Sequence, residues 1–118
     1  MTNDLEIRIR DDRARGLLEA HSDGGEVLGC IAYFVLDDPA PALVAVHTAV
    51  EPAHEGKGLA GALATELYAV AAREQVAVAP LCPYVARWAE RHPDLAPAAP
   101  APLMDAAKEA LAANSALW

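Results

Sequence analysis

Three glycines and a lysine fall within one stretch of eight residues, HEGKGLAG from His54 to Gly61, directly before a segment with helical periodicity. Glycine is costly beside a helix unless the backbone needs a positive φ or another group must come close. The free N–H groups at a helix N-terminus bind anions, and glycine lets phosphate oxygens reach them. The stretch therefore indicates either a phosphate site, with Lys57 adding a charge-assisted contact, or simply a tight loop formed by Gly56 and Gly58.

The same residues match the dinucleotide-binding pattern G-x-G-x-x-G, as GKGLAG, but their place in the chain does not fit that fold. A dinucleotide fold has this motif directly after its first strand. Here the motif follows four predicted strands and precedes only one crossover unit. A phosphate-binding loop of the type G-x-x-x-x-G-K-S/T also fails, because Gly58 follows Lys57. The anion-binding property of a helix N-terminus is what both motifs share, and it stays as the functional interpretation.

Two further residues, His47 and Cys82, have side chains suited to proton transfer or nucleophilic attack. His47 lies in the apolar stretch ALVAVHTAV, where we expect it to share a strand face with Leu43 and Ala45. Imidazole suits a general base, although a lone histidine among apolar residues is more often a hydrogen-bonded core residue. Cys82 precedes Pro83 at the start of a predicted helix, a place that raises the thiolate fraction of a cysteine. A structural thiol is the alternative.

The composition is that of one compact domain of 118 residues. The net charge of −8 argues against a nucleic-acid partner, whose binding surface is basic, and fits either a cationic substrate or simple solubility. We expect no membrane partner, because no apolar run approaches the roughly 18 residues of a span and the charged start is unlike a signal peptide. Two cysteines do not make a disulfide framework. These features predict a cytoplasmic protein in which Cys30 is an ordinary buried thiol.

Hydrophobic periodicity predicts the elements that position these residues. Four strands are expected before the glycines, at residues 5–10, 16–22, 26–36 and 42–50. The short connections between them predict an antiparallel meander. A helix follows from about Lys57 to Glu74, then a strand at 75–81, then a helix that starts with Pro83 and ends near His92. The strand–helix–strand unit makes its two strands parallel neighbours.

The composition changes after residue 95. The stretch APAAPAPL, residues 96–103, predicts an extended linker, and MDAAKEALAANSALW predicts a short terminal helix. We therefore divide the chain into a domain of residues 1–95 and an appendage of residues 96–118, and expect a chain truncated after Leu95 to fold. The alternative is that apolar side chains of the tail cover an apolar patch or an open cleft: Leu103, Met104, Leu111 and Trp118.

The order of these elements resembles the GNAT superfamily of acetyl-CoA-dependent N-acetyltransferases, in its minimal single-domain branch. Three stretches carry the resemblance: VHTAVEPAHEGKGLAGAL, VAPLCPYVARW and RHPDL. It implies a mixed α+β fold in which an antiparallel meander leads into strand–helix–strand–helix, with a splayed central pair of strands. It also implies acetyl-CoA as cosubstrate, no metal, and a small-molecule or peptide amine as the acceptor.

The superfamily's pyrophosphate loop, Gln/Arg-x-x-Gly-x-Gly/Ala, aligns with six residues here: Glu55, Gly56, Lys57, Gly58, Leu59 and Ala60. Gly58 and Ala60 match the pattern, whereas Glu55 departs from it. A carboxylate beside a pyrophosphate weakens binding unless it points away, towards the N-terminus of the helix. By the same resemblance, a backbone N–H near Val50 polarises the thioester carbonyl. Tyr84 either lines the cleft or packs in the core.

The resemblance favours His47 as the general base and places Cys82 opposite it across the splayed strands. Cys82 is then either the site of a covalent acetyl intermediate or the proton donor to the leaving thiolate. In both cases we expect Cys82 to be alkylated faster than a shielded Cys30. Two other functions stay open: a non-catalytic acyl-CoA-binding module, and an acidic interaction domain without a coenzyme. Only the enzyme needs His47 and Cys82.

Overall fold

A single five-stranded sheet organises the protein. The computed structural model describes residues 7–54 and 58–113, with the side chain of His54 left out. The strands lie side by side in chain order: β1 Arg8–Asp12, β2 Leu17–His21, β3 Val27–Leu36, β4 Ala42–Val50 and β5 Ala77–Pro80. Strands β1 to β4 pair antiparallel, and β5 pairs parallel to β4. The predicted meander followed by one crossover is confirmed.

In the described residues, three α-helices and one short 3-10 helix accompany the sheet. The 3-10 helix, Pro52–His54, follows β4, and α1, Leu59–Glu74, crosses over to β5. Helix α2 spans Pro83–Arg91. Pro83 in its first turn costs no hydrogen bond, because the N–H of any residue at that position would have no acceptor within the helix. Helix α3 spans Ala101–Ala113. In the described parts of the chain, no helix combines the length and hydrophobicity needed to cross a membrane.

Helices α1 and α2 cover one face of the sheet, called the first face here. The sheet contributes fully buried side chains to this core, among them Leu18, Ile31, Tyr33, Leu43 and Ala45. The helices add the apolar residues that the sequence shows at helical spacing, including Leu63, Leu67, Val70, Val85 and Trp88. Burial of each such side chain stabilises the fold by about 1.5–3 kcal/mol. The main core therefore lies between the sheet and its two successive helices.

Helix α3 packs on the opposite, second face of the sheet. There Ala107 is fully buried with Val44 and Ala79, and Met104 packs against the same cluster. The predicted linker is therefore too long by three residues, since the helix starts at Ala101 with Pro102 in its first turn, where proline is tolerated. These contacts favour the alternative in which the tail covers an apolar patch. Trp118 lies outside the described residues, and independent folding of residues 1–95 stays a prediction.

The buried position of Ala107 allows a test of how much α3 contributes to stability. Ala107→Asp places a carboxylate in a fully buried site and is expected to lower the free energy of unfolding by about 2 kcal/mol or more. Ala112→Asp makes the same change at an exposed position of the same helix, and we expect an effect within about 0.5 kcal/mol. Thermal unfolding followed by circular dichroism measures both. Equal melting temperatures for the two variants would contradict the packing of α3 on the sheet.

Candidate active site

The two central strands separate half-way along β4. Pairing between β4 and β5 runs from Ala42 opposite Ala77 to Ala45 opposite Pro80, whereas β4 continues along β3 to Val50. The chain after β5 bends back, and the N–H groups of Leu81 and Cys82 both donate to the Ala45 carbonyl oxygen, at 3.0 and 2.9 Å. In the described chain, residues 46–50 of β4 therefore have no strand partner on this side. This is the splay that the resemblance implies.

One extra residue, Val46, interrupts the pairing of β4 with β3 at the same point. Ala45 lies opposite Tyr33 and His47 lies opposite Ala32, so Val46 has no partner on β3. An extra residue in one strand is a β-bulge, and it reverses which face each later side chain occupies. The side chains beyond Val46 are therefore on the opposite faces from those that simple alternation predicts.

The bulge places His47 and Thr48 differently from the sequence prediction. His47 lies beside Ala32 on the second face and is exposed. Thr48 lies opposite the fully buried Ile31 and turns towards the first face, where Leu43 also lies. The prediction that His47 shares a face with Leu43 and Ala45 is wrong, because it assumed an uninterrupted strand.

Cys82 lies at the end of the splay, immediately before α2. The residue is only 4% exposed, and its sulfur is 3.3 Å from the Thr48 hydroxyl oxygen, where either atom can be the donor. Its carbonyl accepts the N–H of Ala86 at 2.9 Å and so begins α2, whose N-terminus no described side chain caps. Among the described contacts no hydrogen bond joins Cys82 to His47. Simple alternation along β4 does not predict the approach of Thr48 to the sulfur, because only the bulge brings it there.

The N-terminus of α1 has the properties of an anion site. Gly58 caps it with φ 79°, and a Cβ built on Gly58 would meet open space. The first helical bond joins the Ala62 N–H to the Gly58 carbonyl at 3.0 Å, so the N–H groups of residues 59–61 lack helical partners. No described side chain caps them, and the first turn has no carboxylate. The other predicted loop residues, Glu55, Gly56 and Lys57, lie outside the described residues.

Two aromatic residues of α2 approach this first turn of α1. A Cβ on Gly61 would lie 3.6 Å from the Trp88 indole nitrogen and 3.7 Å from the Tyr84 hydroxyl oxygen. Both distances are those of ordinary van der Waals contact, so two polar atoms of α2 lie directly beside the N-terminal turn of α1. Trp88 also stacks on His92 with ring centroids 4.3 Å apart. The sequence pattern does not predict the position of the Trp88 nitrogen beside Gly61, because it results from the packing of α2 on α1.

Of the remaining predicted positions, Val50 and Cys30 lie on neighbouring strands. Val50 pairs with Gly29 and packs against the first core. Cys30 is partly exposed on the second face, so the expectation of a buried, shielded thiol is wrong. Within the described ranges, no three His, Cys, Asp or Glu side chains are grouped as metal ligands would be.

The sequence model of the GCN5-related N-acetyltransferase family matches residues 18–98, from β2 to the segment after α2. The chain belongs to this family. The match confirms the resemblance found in the sequence and the prediction of an acetyltransferase. Helix α3 lies beyond the matched residues.

Solved acetyltransferase structures share the fold. The ribosomal-protein-alanine N-acetyltransferase of Brucella melitensis biovar Abortus 2308 is 27% identical, with a TM-score of 0.53, over 70% of this chain and 64% of that one. This chain therefore spans just under two thirds of that enzyme. An acetyltransferase of Trypanosoma brucei is 13% identical, with a TM-score of 0.54, over 82% of this chain and 94% of that one, and shows the fold alone. A comparison with curated protein sequences gave no match.

The surroundings of Cys30 predict how its thiol reacts. Burial, reinforced by the Glu19 carboxylate, raises the pKa of the Cys30 thiol above its ordinary value. A raised pKa leaves less thiolate near neutral pH, so we expect iodoacetamide to label Cys30 several-fold more slowly than free cysteine at pH 7.5. Glu19→Gln removes one cause and should speed labelling about twofold, whereas Glu26→Gln, an exposed control, should not. Peptide-resolved mass spectrometry measures the rates. Labelling of Cys30 as fast as that of free cysteine would contradict a raised pKa of its thiol.

Proposed function

We propose that this protein transfers the acetyl group of acetyl-CoA to the nitrogen of a small-molecule or peptide amine. The observation that carries the proposal is the separation of β4 from β5 after Ala45, between the uncapped N-terminus of α1 and Cys82. A strand edge without a partner can pair with an extended amide chain, which is the chemical form of the pantetheine arm. Membership in the acetyltransferase family supports the same assignment.

The α1 N-terminus fits the pyrophosphate of coenzyme A. Its free N–H groups at Leu59 and Ala60, the open space at Gly58 and the absence of a carboxylate from the first turn all favour an anion there. In the proposal Glu55, Gly56 and Lys57 belong to the same pyrophosphate loop, as the resemblance implies. Tyr84 adds a hydroxyl beside the same turn.

The thioester carbonyl is proposed to lie along the free edge of β4. A backbone N–H near Val50 polarises the carbonyl by hydrogen bonding and stabilises the negative charge that develops on its oxygen. Acetyl transfer forms a bond from the acceptor nitrogen to the carbonyl carbon and breaks the bond from that carbon to the coenzyme sulfur. Direct transfer therefore needs one group to take a proton from the amine and another to give a proton to the leaving thiolate.

His47 and Cys82 are proposed for these two proton transfers. His47 is exposed on the second face, so the amine approaches from that face and gives its proton to the imidazole. Cys82 gives its thiol proton to the coenzyme thiolate, and the two side chains return to their starting protonation states through solvent, because they lie on opposite faces of β4. In the covalent alternative the Cys82 thiolate attacks the thioester, releases coenzyme A, and passes the acetyl group to the amine. Both routes start from the same positions of the two side chains.

The choice of an amine as acceptor rests on the family and on the net charge of the chain. The Brucella neighbour is a ribosomal-protein-alanine N-acetyltransferase, and its named acceptor is therefore the nitrogen of an alanine in a polypeptide. The net charge of −8 favours a cationic acceptor over an anionic one. A peptide or small molecule with a basic amino group is therefore the proposed class.

Coenzyme binding at α1 predicts thermal stabilisation by coenzyme A. At about 100 times the dissociation constant, the coenzyme should add about 2.7 kcal/mol to the free energy of unfolding, which raises the melting temperature by several degrees. Gly58→Asp puts a carboxylate at the anion site and should abolish the shift. Gly58→Asn is the matched control, since asparagine tolerates a positive φ and carries no charge, and it should keep most of the shift. No shift with the wild type at millimolar coenzyme would contradict the proposal.

The proposed chemistry predicts distinct effects at the two cysteines and at His47. Cys82→Ala should lower the turnover of acetyl-CoA with a saturating amine by 10²-fold or more, on the order of a lost acid–base catalyst. His47→Ala should lower it similarly, whereas Cys30→Ser should leave it unchanged. Spectrophotometric release of free coenzyme A, across a panel of amines, measures turnover.

Intact-mass analysis distinguishes the two routes. An acetyl adduct on the wild type that is absent from Cys82→Ala indicates the covalent route, and slowed turnover without an adduct indicates direct transfer. Wild-type rates in Cys82→Ala would show that the thiol only packs. Binding of coenzyme A with no turnover of any amine would identify a non-catalytic acyl-CoA-binding module instead.

A further inference from the structure

The contact between Thr48 and Cys82 joins β4 to the residue that precedes α2. The Cys82 N–H donates to the Ala45 carbonyl at 2.9 Å, and the Cys82 sulfur lies 3.3 Å from the Thr48 hydroxyl. Thr48 is itself fixed by pairing with β3 opposite the buried Ile31. The backbone and the side chain of Cys82 are therefore anchored to the same strand, three residues apart and on either side of the bulge.

We infer that Thr48 is a positioning residue for Cys82. The Thr48 hydroxyl fixes the Cys82 sulfur and donates a hydrogen bond to the thiolate form of Cys82. In the thiol form either atom can donate. A thiolate has no proton, so only the hydroxyl can then be the donor. The inference rests on the proposed role of Cys82, and it names a residue to which neither the glycine motif nor the resemblance assigns a role.

Both proposed routes place a negative charge on this sulfur. In direct transfer Cys82 becomes a thiolate when it protonates the coenzyme sulfur, and in the covalent route it is a thiolate before it attacks. A hydrogen bond to a charged acceptor is roughly twice as strong as one between neutral groups. The Thr48 hydroxyl therefore binds the reacting state more tightly than the resting thiol, which is the requirement for a contribution to rate.

Few other groups can stabilise that charge. The described core contains no buried charged residue, and Cys82 belongs to the apolar core of the first face. His47 lies on the other face of β4, and Tyr84 is the second residue of α2. The N-terminal N–H groups of α2 are the remaining donors. Removal of the Thr48 hydroxyl therefore removes the only described side-chain hydrogen bond to the sulfur.

The test compares the ionisation of Cys82 in variants that differ at one hydroxyl. All variants carry Cys30→Ser, so that Cys82 is the only thiol in the full chain. Thiolate formation is followed by absorbance at 240 nm against pH, with a Cys82→Ala blank that subtracts the tyrosine signal. This readout needs no reagent to reach the sulfur. Thr48→Val should move the midpoint upward by about one pH unit, which is tenfold less thiolate at low pH. Thr48→Ser, which keeps the hydroxyl, should stay near the parent.

The alternatives give different results. An unmoved midpoint in Thr48→Val would overturn the inference, and so would an equal shift in Thr48→Ser, which would mean that the lost methyl group matters and the hydroxyl does not. If Thr48→Val does not fold, as judged by circular dichroism, the pair Thr48→Ser and Thr48→Ala differs by the hydroxyl alone and decides in the same way. Turnover measured in parallel separates the two proposals. A shifted midpoint with wild-type rates in Cys82→Ala would refute the catalytic role of the thiol and leave the hydrogen bond established.

Discussion

The Ala45 carbonyl is the point on which the arrangement of the site depends. Ala45 is the last residue of β4 that pairs with β5. Its carbonyl oxygen accepts hydrogen bonds from two N–H groups of the segment that leads into α2. Val46, the next residue, is the extra residue of the bulge. One position therefore ends the parallel pairing, fixes the start of α2 and reverses the faces of the rest of β4. If the pairing continued past Ala45, there would be no free strand edge, and Thr48 would not face the sulfur.

As a consequence, the two faces of the sheet carry different parts of the proposed site. The first face carries the large core, the open N-terminus of α1 and the cysteine at the start of α2. The second face carries exposed His47 and, further along β4 and β5, the cluster covered by α3. In the proposed reaction the coenzyme binds from the first side and the amine arrives from the second. Helix α3, which covers this cluster, lies beyond the residues that the family model matches.

The fold class comes from the resemblance to the superfamily. Periodicity is enough to predict the strands and the crossover helix, because apolar residues repeat at strand or helix spacing in each element. It did not predict the bulge, since Val46 belongs to an unbroken apolar run with no glycine or proline to mark it. Simple alternation consequently puts His47 on the wrong face and does not predict the approach of Thr48 to the sulfur. The start of α3 is also not predicted, because a proline within a first helical turn has the same local sequence as a proline-rich linker. Close approaches such as Trp88 to Gly61 come from the packing of α2 on α1 and leave no local signal.

The central claim is that coenzyme A lies across the α1 N-terminus and the free edge of β4. Amide chemical shifts of the full-length, nitrogen-15-labelled protein, recorded with and without coenzyme A, test it residue by residue. The account predicts the largest changes at Leu59, Ala60 and Gly61 and along residues 46–50, with little change at the far end of α1. Changes confined to the pocket between the end of α1 and residues 94–98, or no changes at all, would contradict it.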